Sequence, residues 1–212
     1  MPQSPILWLA VVFAIMFCVL RQRDFFALRP YIKAAMAVLL AAYCVVEPTP
    51  ALYVMAAGFA LSALGDFFLD LRGEKWFLPG LISFFIAHVA FVVYLFGHTV
   101  PLSKYTGLEW GMVAGLIAAT LGFYIWLKSA LPSDMKIPVA AYSVVITIMG
   151  IAALTTTLPS LLVPIGAVMF IASDVVLSIE RFKFKFKFDK QINWTLYAGG
   201  QILLAIGVVG GI

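Results

Sequence analysis

Hydrophobic residues are concentrated in eight long stretches, which short polar segments separate. The stretches are Ile6–Leu20, Tyr31–Val46, Ala51–Leu71, Trp76–Phe96, Leu108–Leu127, Ile137–Leu154, Ser160–Ile179 and Ile192–Ile212. Most of them contain the about 17–25 residues that a helix needs to cross a bilayer. Their continuity favours helices, because the strands of membrane barrels alternate polar and apolar positions. The pattern predicts an all-α, polytopic integral membrane bundle of eight transmembrane helices, with residues 1–212 forming one domain.

Positively charged residues mark one side of this predicted bundle. Of the 14 lysines and arginines, all except Lys104 lie in or directly beside the first, third, fifth and seventh connections. Cytoplasmic loops of membrane proteins carry an excess of Lys and Arg. The odd-numbered connections are therefore predicted to be cytoplasmic, which places both termini on the non-cytoplasmic side. The compact loops favour a bacterial inner membrane, or the endoplasmic reticulum if the chain is eukaryotic.

The composition agrees with a membrane protein and excludes several other classes. The sequence is 64% hydrophobic and 11% charged, whereas soluble domains carry roughly 25% charged residues. These values exclude a soluble enzyme, a disordered chain and a disulfide-stapled secreted module. The net charge of +4 is accounted for by the loops, so no nucleic-acid partner is expected.

Two acidic residues, Asp66 and Asp174, lie well inside the apolar stretches. An ionised carboxylate at the bilayer centre costs about 2.5–3.5 kcal/mol on insertion scales, which favours a functional role. Each residue lies five positions before the end of its predicted span, so both are roughly 7–8 Å below the same membrane face. If the two helices are neighbours, the carboxyls can form a pair that retains one proton, as acid–base hydrolysis requires. The alternative is a structural role, in which each Asp hydrogen-bonds to a neighbouring helix.

Other polar side chains are predicted near the level of the two carboxyls. The candidates for binding substrate or orienting water are Asp70, Tyr142, Tyr197 and Gln201. His88 lies deeper, where a lone histidine is more typical of packing than of a binding site, although it remains a candidate. No metal or other cofactor is expected, because a zinc site needs three or four clustered His, Cys or carboxylate ligands.

Two further sequence patterns suggest more specific features. The segment Gly58–Leu69 aligns with Gly166–Leu177, since each has Gly eight positions before its Asp and Leu three after it. This similarity suggests a parallel four-plus-four repeat of helices. Residues Arg181–Phe188 alternate cations and phenylalanines, which in an extended strand would form a basic face and an aromatic face. We favour an interfacial lipid anchor for this run over a phosphate-attracting rim.

Three segments, taken in order, carry a family resemblance: Ser62–Leu69, Phe84–His88 and Gly166–Leu177. Together they resemble the YhhN / TMEM86 family of lysoplasmalogenases. The resemblance implies an eight-helix membrane hydrolase that cleaves the sn-1 vinyl ether of lysoplasmalogens. The products would be a fatty aldehyde and glycerophosphoethanolamine or glycerophosphocholine. It also implies that the family's two intramembrane aspartates correspond to Asp66 and Asp174, without a cofactor.

The chemistry of a vinyl ether suits this pair of residues. Protonation of its β-carbon is the difficult step and needs a positioned acid, after which a carboxylate can stabilise the cation and activate water. Which Asp is the acid is open at this point. The headgroup is expected near Lys33, Arg72 and Lys75. The expected partners are the lysophospholipid substrate and membrane lipid, with no obligate protein partner.

Two other functions are compatible with the same residues. A proton-coupled carrier of small molecules or lipids could exchange protons at the two aspartates, as intramembrane carboxylates do in transporters. A non-catalytic membrane scaffold could use both aspartates as ties between helices. The hydrolase is preferred because the deep polar residues cluster on one side of the membrane.

Overall fold

The computed structural model describes residues 4–21, 25–46 and 52–210, and these ranges contain eight α-helices. The helices are α1 Pro5–Leu20, α2 Arg29–Val46, α3 Leu52–Asp70, α4 Phe77–Phe96, α5 Gly107–Lys128, α6 Lys136–Leu154, α7 Leu162–Phe182 and α8 Asp189–Val209. Short 3-10 turns precede three of them, at Glu74–Trp76, Leu102–Lys104 and Ser133–Met135. The prediction of an all-α bundle is confirmed, while the predicted span ends Ala51 and Ile212 lie outside the described residues.

Seven helices, α2 to α8, are long and apolar enough to cross a membrane. Helix α1 is shorter, with 16 residues. At 1.5 Å per residue it is about 24 Å long, against about 30 Å of hydrocarbon. It is nevertheless attached to the bundle, because the Trp194 indole Nε1 donates a hydrogen bond to the Ala14 carbonyl oxygen at 2.8 Å. The Phe17 and Trp194 rings also pack with their centroids 4.4 Å apart.

The odd-numbered connections meet at one end of the bundle, which we call the basic end. Arg29 on α2 binds the Asp70 carboxylate at the end of α3 through two nitrogens, each at 2.9 Å. Lys183 after α7 donates to the Ser129 hydroxyl after α5 at 2.9 Å. At the opposite end, the Thr157 amide donates to the His98 carbonyl oxygen at 2.6 Å. The alternation of the helices agrees with the charge pattern, whereas the side of the membrane that each end faces stays a prediction.

The helices of the bundle differ in how many neighbouring helices they contact. Helix α8 packs tightly along α7 and also contacts α1, α2 and α3. Helix α3 packs mainly between α2 and α4. Helix α5 lies at the edge, where Leu127 is its one buried residue. The four-plus-four repeat stays a prediction.

Helices α7 and α8 approach each other so closely that only glycine fits between them. A Cβ atom on Gly200 would lie 2.8 Å from the Gly166 carbonyl oxygen and 2.9 Å from the Phe170 amide nitrogen. Both obstacles are backbone atoms, which cannot move aside without shifting a helix. The close approach matters for the site because α7 carries Asp174 and α8 carries Tyr197.

We expect Gly200→Ala to lower the free energy of unfolding by about 1–3 kcal/mol, as overpacking a tight contact does. The matched control is Gly115→Ala on α5, where an added Cβ would meet no atom within 4 Å. Thermal unfolding of both variants in the same detergent measures the difference. Equal melting temperatures for the two variants would contradict the close contact.

The run from Arg181 to Phe188 does not form the extended strand that was considered from its alternating sequence. Its first two residues belong to α7, because the helix continues to Phe182. Phe182 therefore packs inward, with its ring 5.6 Å from that of Phe77. Phe184 and Phe188 are exposed. A lipid-anchoring role for the run stays a prediction.

Candidate active site

A cavity of about 220 Å³ lies inside the bundle near the basic end. The polar side chains that line it, which we call the polar wall, come mainly from the end of α1 and from α2, α3, α6, α7 and α8. Its side chains include Arg21, Lys33, Asp66, Tyr142, Asp174 and Tyr197. The apolar side chains that line the cavity, which we call the apolar wall, come from α3 to α8. Its side chains include Leu81, Leu116, Phe123, Leu127, Val139 and Ile146.

Asp66 is the more deeply buried of the two candidate carboxyls, with 1% of its surface exposed. The Tyr197 hydroxyl on α8 donates to its Oδ2 at 2.6 Å. The Lys33 ammonium on α2 lies 3.2 Å from its Oδ1. Lys33 is itself buried, so it is the ion-pair partner of Asp66 rather than a headgroup-binding residue at the membrane surface. The ion pair compensates for the burial of both charges.

Asp174 lies on α7 and is half-buried against the cavity. The Tyr142 hydroxyl on α6 donates to its Oδ2 at 2.6 Å. Over the described ranges, no Lys or Arg lies within salt-bridge distance of Asp174. The two carboxyls therefore have the same kind of hydrogen-bond donor but different charge environments.

The two aspartates do not form the hydrogen-bonded pair that the sequence predicted. The physical reason is the order of the helices, because α8 packs against both α7 and α3 and contributes Tyr197, which binds Asp66. Each carboxyl accordingly binds its own tyrosine. Both still line the same cavity, so they can act on one bound molecule without touching each other.

Three other candidate residues have roles that differ from the prediction. Asp70 lines the cavity at its rim, but its carboxylate is bound by Arg29. Gln201 is fully buried one turn further along α8 than Tyr197, and it does not line the cavity. Its position follows from helix geometry, because a step of four residues moves the side chain deeper into the bundle.

His88 also lies behind the cavity rather than in its wall. Its Nδ1 donates to the Phe84 carbonyl oxygen at 2.7 Å. Its ring packs on that of Tyr142, with the centroids 5.3 Å apart. Its contacts therefore support Tyr142, which is itself bound to Asp174.

The expected headgroup cations Arg72 and Lys75 lie away from the cavity. The Arg72 guanidinium is 4.5 Å from the centre of the Phe25 ring. The Lys75 ammonium is 5.2 Å from the centre of the Trp76 ring. Both positions are typical of cation–π contacts at a protein surface, so neither residue forms part of the cavity wall.

Among the polar lining residues that sequence reasoning missed are Arg21 and Asn193. One Arg21 nitrogen donates to the Asn193 Oδ1 at 3.2 Å. The Asn193 Nδ2 in turn donates to the Ser173 carbonyl oxygen at 2.7 Å. Asn193 could have been found as an amide inside an apolar stretch. Arg21 was indistinguishable from the other loop cations.

The described residues contain no group of three or more His, Cys, Asp or Glu side chains that could hold a metal ion. The cavity instead presents three carboxyls, two phenols, a guanidinium and an ammonium. These groups can donate and accept protons and can bind an anion. The expectation that the protein uses no cofactor stays a prediction.

The sequence profile of the YhhN family matches residues 28–208. This chain belongs to the YhhN family. The family resemblance inferred from the Asp66, His88 and Asp174 segments is therefore confirmed. No solved structure matches the chain.

Several proteins similar to this YhhN chain are named lysoplasmalogenases. The lysoplasmalogenase of Mycobacterium bovis is 35% identical over 193 residues, which cover 85% of this chain and 70% of that protein. The human lysoplasmalogenase TMEM86A is 28% identical over 160 residues, 72% of this chain and 63% of that protein. The rat lysoplasmalogenase TMEM86B is 27% identical over 157 residues, 74% of this chain and 62% of that protein. The matched region thus spans a little under two thirds of each mammalian relative.

Proposed function

We propose that this membrane protein hydrolyses the sn-1 vinyl ether bond of lysoplasmalogens. The names of its relatives support this class of reaction. The main support for the proposal is that two tyrosine-bound aspartates and many apolar side chains line one cavity. A single-chain lipid has the matching parts, because it joins one hydrocarbon chain to one polar headgroup. The vinyl ether lies between these parts and would be placed beside the carboxyls.

The charge environments distinguish the roles of the two aspartates. The Lys33 ammonium stabilises a negative charge on Asp66, so Asp66 is the carboxylate. Within the described chain Asp174 has no cation partner, and an isolated charge in a low-dielectric site is costly. Asp174 is therefore the group that holds a proton and acts as the acid. The Tyr142 hydroxyl occupies its Oδ2, which leaves Oδ1 for that proton.

The reaction then proceeds in two balanced stages. Asp174 transfers its proton to the β-carbon of the vinyl ether, whose π electrons form the new C–H bond and leave an oxocarbenium ion. Water adds to the α-carbon and releases a proton to Asp66, which gives a hemiacetal. In the second stage the hemiacetal hydroxyl returns a proton to Asp174 while Asp66 protonates the leaving ether oxygen. The C–O bond breaks, and a fatty aldehyde and glycerophosphoethanolamine or glycerophosphocholine are released.

Turnover in heavy water tests this reaction directly. The purified protein is expected to release aldehyde from 1-alkenyl lysophospholipids with ethanolamine or choline headgroups. In D₂O each aldehyde should carry one deuterium on the carbon next to the carbonyl, because the acid step protonates that carbon. A 1-acyl lysophospholipid is the control and should remain intact. Aldehyde without deuterium, or no aldehyde at all, would contradict the proposal.

Removing either tyrosine hydroxyl is expected to slow turnover without unfolding the protein. Tyr142→Phe and Tyr197→Phe each delete a 2.6 Å hydrogen bond to a carboxyl. A hydrogen bond to a charged group contributes about 1.5–3 kcal/mol, so Tyr197→Phe, which acts on the Asp66 carboxylate, should lower kcat by about ten- to a hundredfold. A bond between neutral groups contributes about 0.5–1.5 kcal/mol, so Tyr142→Phe, which acts on the protonated Asp174, should lower kcat by about two- to tenfold. The control is Tyr124→Phe, whose hydroxyl binds the Lys136 carbonyl oxygen away from the cavity. A kcat equal to that of the control would exclude a role for the deleted hydroxyl.

We also propose that the basic end faces the cytoplasm, as the loop charges indicate. The substrate would then enter from the cytoplasmic leaflet, in a bacterial inner membrane or in the endoplasmic reticulum. Labelling of single cysteines introduced at the two ends, in intact and in opened cells, tests this orientation. Protection of the basic end in intact cells is the expected result.

A further inference from the structure

We infer that Arg21, held in place by Asn193, binds the phosphodiester of the substrate's headgroup. This inference rests on the proposed lipid substrate and adds a headgroup site to it. Arg21 immediately follows α1 and is half-buried in the polar wall of the cavity. It lies at the basic end, where a lipid headgroup would remain while the chain extends along the apolar wall.

Three other cations near this end have acidic partners. Lys33 binds Asp66, and Arg29 binds Asp70. Arg181 binds Glu74 beside the bundle. Among the described residues, Lys33 and Arg21 are the two cations that line the cavity. The charge of Lys33 is balanced by Asp66, the proposed catalytic carboxylate.

Arg21 has a different environment, because its hydrogen bond goes to the neutral amide of Asn193. The carboxylates of Glu180, Asp70 and Asp66 are near enough to act on its charge. Within the described ranges, however, none of them lies within salt-bridge distance of Arg21. The guanidinium thus remains available to an anion that enters the cavity.

Asn193 determines where that anion would bind. Its Oδ1 accepts from Arg21, and its Nδ2 donates to the carbonyl oxygen of Ser173. Ser173 directly precedes Asp174 on α7. The amide therefore holds the guanidinium over the turn that carries the proposed acid. In a lysoplasmalogen only the glycerol backbone separates the phosphate from the vinyl ether, so the two groups can be held at the same time.

The chemistry of arginine suits this position. A guanidinium has five N–H donors in a planar fork, and one of its nitrogens is bound to Asn193. The remaining donors can bind two phosphate oxygens, a geometry for which arginine is preferred over lysine. Because the contact is to phosphate, both ethanolamine and choline headgroups would be accepted.

Binding of two non-hydrolysable lipids tests the site. The full-length protein in detergent is titrated with a 1-O-alkyl lysophosphatidylcholine and with the 1-O-alkylglycerol of the same chain length, which lacks the phosphate. The wild type is expected to bind the phospholipid more tightly. Arg21→Gln should weaken phospholipid binding by about tenfold or more, as loss of charge-assisted hydrogen bonds does, and should leave alkylglycerol binding unchanged. The affinity of Arg21→Lys for the phospholipid should lie between those of the wild type and Arg21→Gln. Lysine keeps the positive charge but lacks the planar set of N–H donors.

The matched control is Lys190→Gln, which removes an exposed cation of α8 that does not line the cavity. It should bind both lipids like the wild type. An unchanged preference for the phospholipid in Arg21→Gln would overturn the inference. Equal weakening of both lipids would also overturn it, since that result assigns Arg21 to folding rather than to the phosphate.

Competition identifies the source of the phosphate. Displacement of the lipid by glycerophosphocholine, and not by inorganic phosphate, is expected for a headgroup site. Displacement by inorganic phosphate alone would show a free-anion site and overturn the assignment. These lipids are not cleaved, so their binding can be measured independently of turnover. If binding depends on Arg21 but the protein releases no aldehyde from a lysoplasmalogen, the proposed hydrolysis is refuted and the phosphate site still stands.

Turnover provides a second readout for the same residue. With a lysoplasmalogen, Arg21→Gln should raise KM by about the same tenfold factor, because the lost contact is made in the ground state as well. With a 1-alkenylglycerol, which has the vinyl ether but no phosphate, the variant should match the wild type. A fall in kcat on the alkenylglycerol would contradict a role limited to the headgroup.

Discussion

Asp174→Asn is expected to abolish aldehyde release from a lysoplasmalogen while the protein stays folded. General acid catalysis contributes about 10²–10⁴-fold to a rate. In the proposed mechanism Asp174 is the group that protonates the β-carbon, and no other residue is assigned this role. If Asp174 holds a proton, its replacement by Asn exchanges one neutral hydrogen-bonding group for another. Thermal unfolding should therefore be nearly unchanged while the initial rate falls by at least about 10²-fold.

Asp66→Asn should remove activity to a similar extent but with a different effect on stability. The substitution leaves the Lys33 ammonium buried without its carboxylate, which is costly in a low-dielectric site. The melting temperature of Asp66→Asn should therefore fall below that of Asp174→Asn. The control for both is Asp134→Asn, an exposed position at the basic end. Full turnover in either cavity variant would end the two-aspartate mechanism.

Lys33→Met is expected to destabilise the protein and to remove most of its activity. Removing one partner of a buried ion pair typically costs about 3–5 kcal/mol, because the other charge stays buried and unpaired. Asp66 can avoid that cost by taking up a proton, and it then no longer acts as the carboxylate. The free energy of unfolding and the initial rate measure the two effects. Lys104→Met, at an exposed position, is the control.

A double variant separates stability from chemistry. Lys33→Met combined with Asp66→Asn removes both charges, and replacement of a whole buried pair is often neutral or stabilising. The double variant should therefore recover stability relative to Lys33→Met and remain inactive. Recovery of activity together with stability would show that the ion pair is purely structural and that Asp66 has no chemical role.

The sequence indicated the proposed reacting groups better than their hydrogen-bond partners. Asp66 and Asp174 were visible because a carboxylate within an apolar stretch is costly and therefore conspicuous. Counting residues along each helix placed Tyr142 and Tyr197 near the same level. The same counting could not show that each tyrosine binds one carboxyl, since that depends on the rotation and the neighbours of four helices.

Pattern analysis placed two residues, Lys33 and Gln201, in surroundings that the structure does not show. Lys33 was expected to bind a headgroup, because a lysine near a span end commonly extends to the membrane surface. The structure turns it inward to Asp66, an acid on the next helix. Gln201 was expected in the site, but its extra turn along α8 carries it beyond the cavity. The depth of Lys33 was predictable from the sequence, whereas the direction of its side chain was not. For Gln201 the sequence did not show how far along α8 the cavity extends.

The sequence by itself determined that the protein lies in a membrane, how many helices it has and that the helices alternate in direction. It also identified the two acidic residues within the apolar stretches. These properties depend on hydrophobicity and charge along short stretches of chain. Only the tertiary structure decided that α8 contributes a tyrosine between α3 and α7. It also decided that Arg21 meets Asn193, 172 positions away. Such contacts depend on how closely helices pack, as at Gly166 and Gly200, and local patterns contain no information on which distant faces meet.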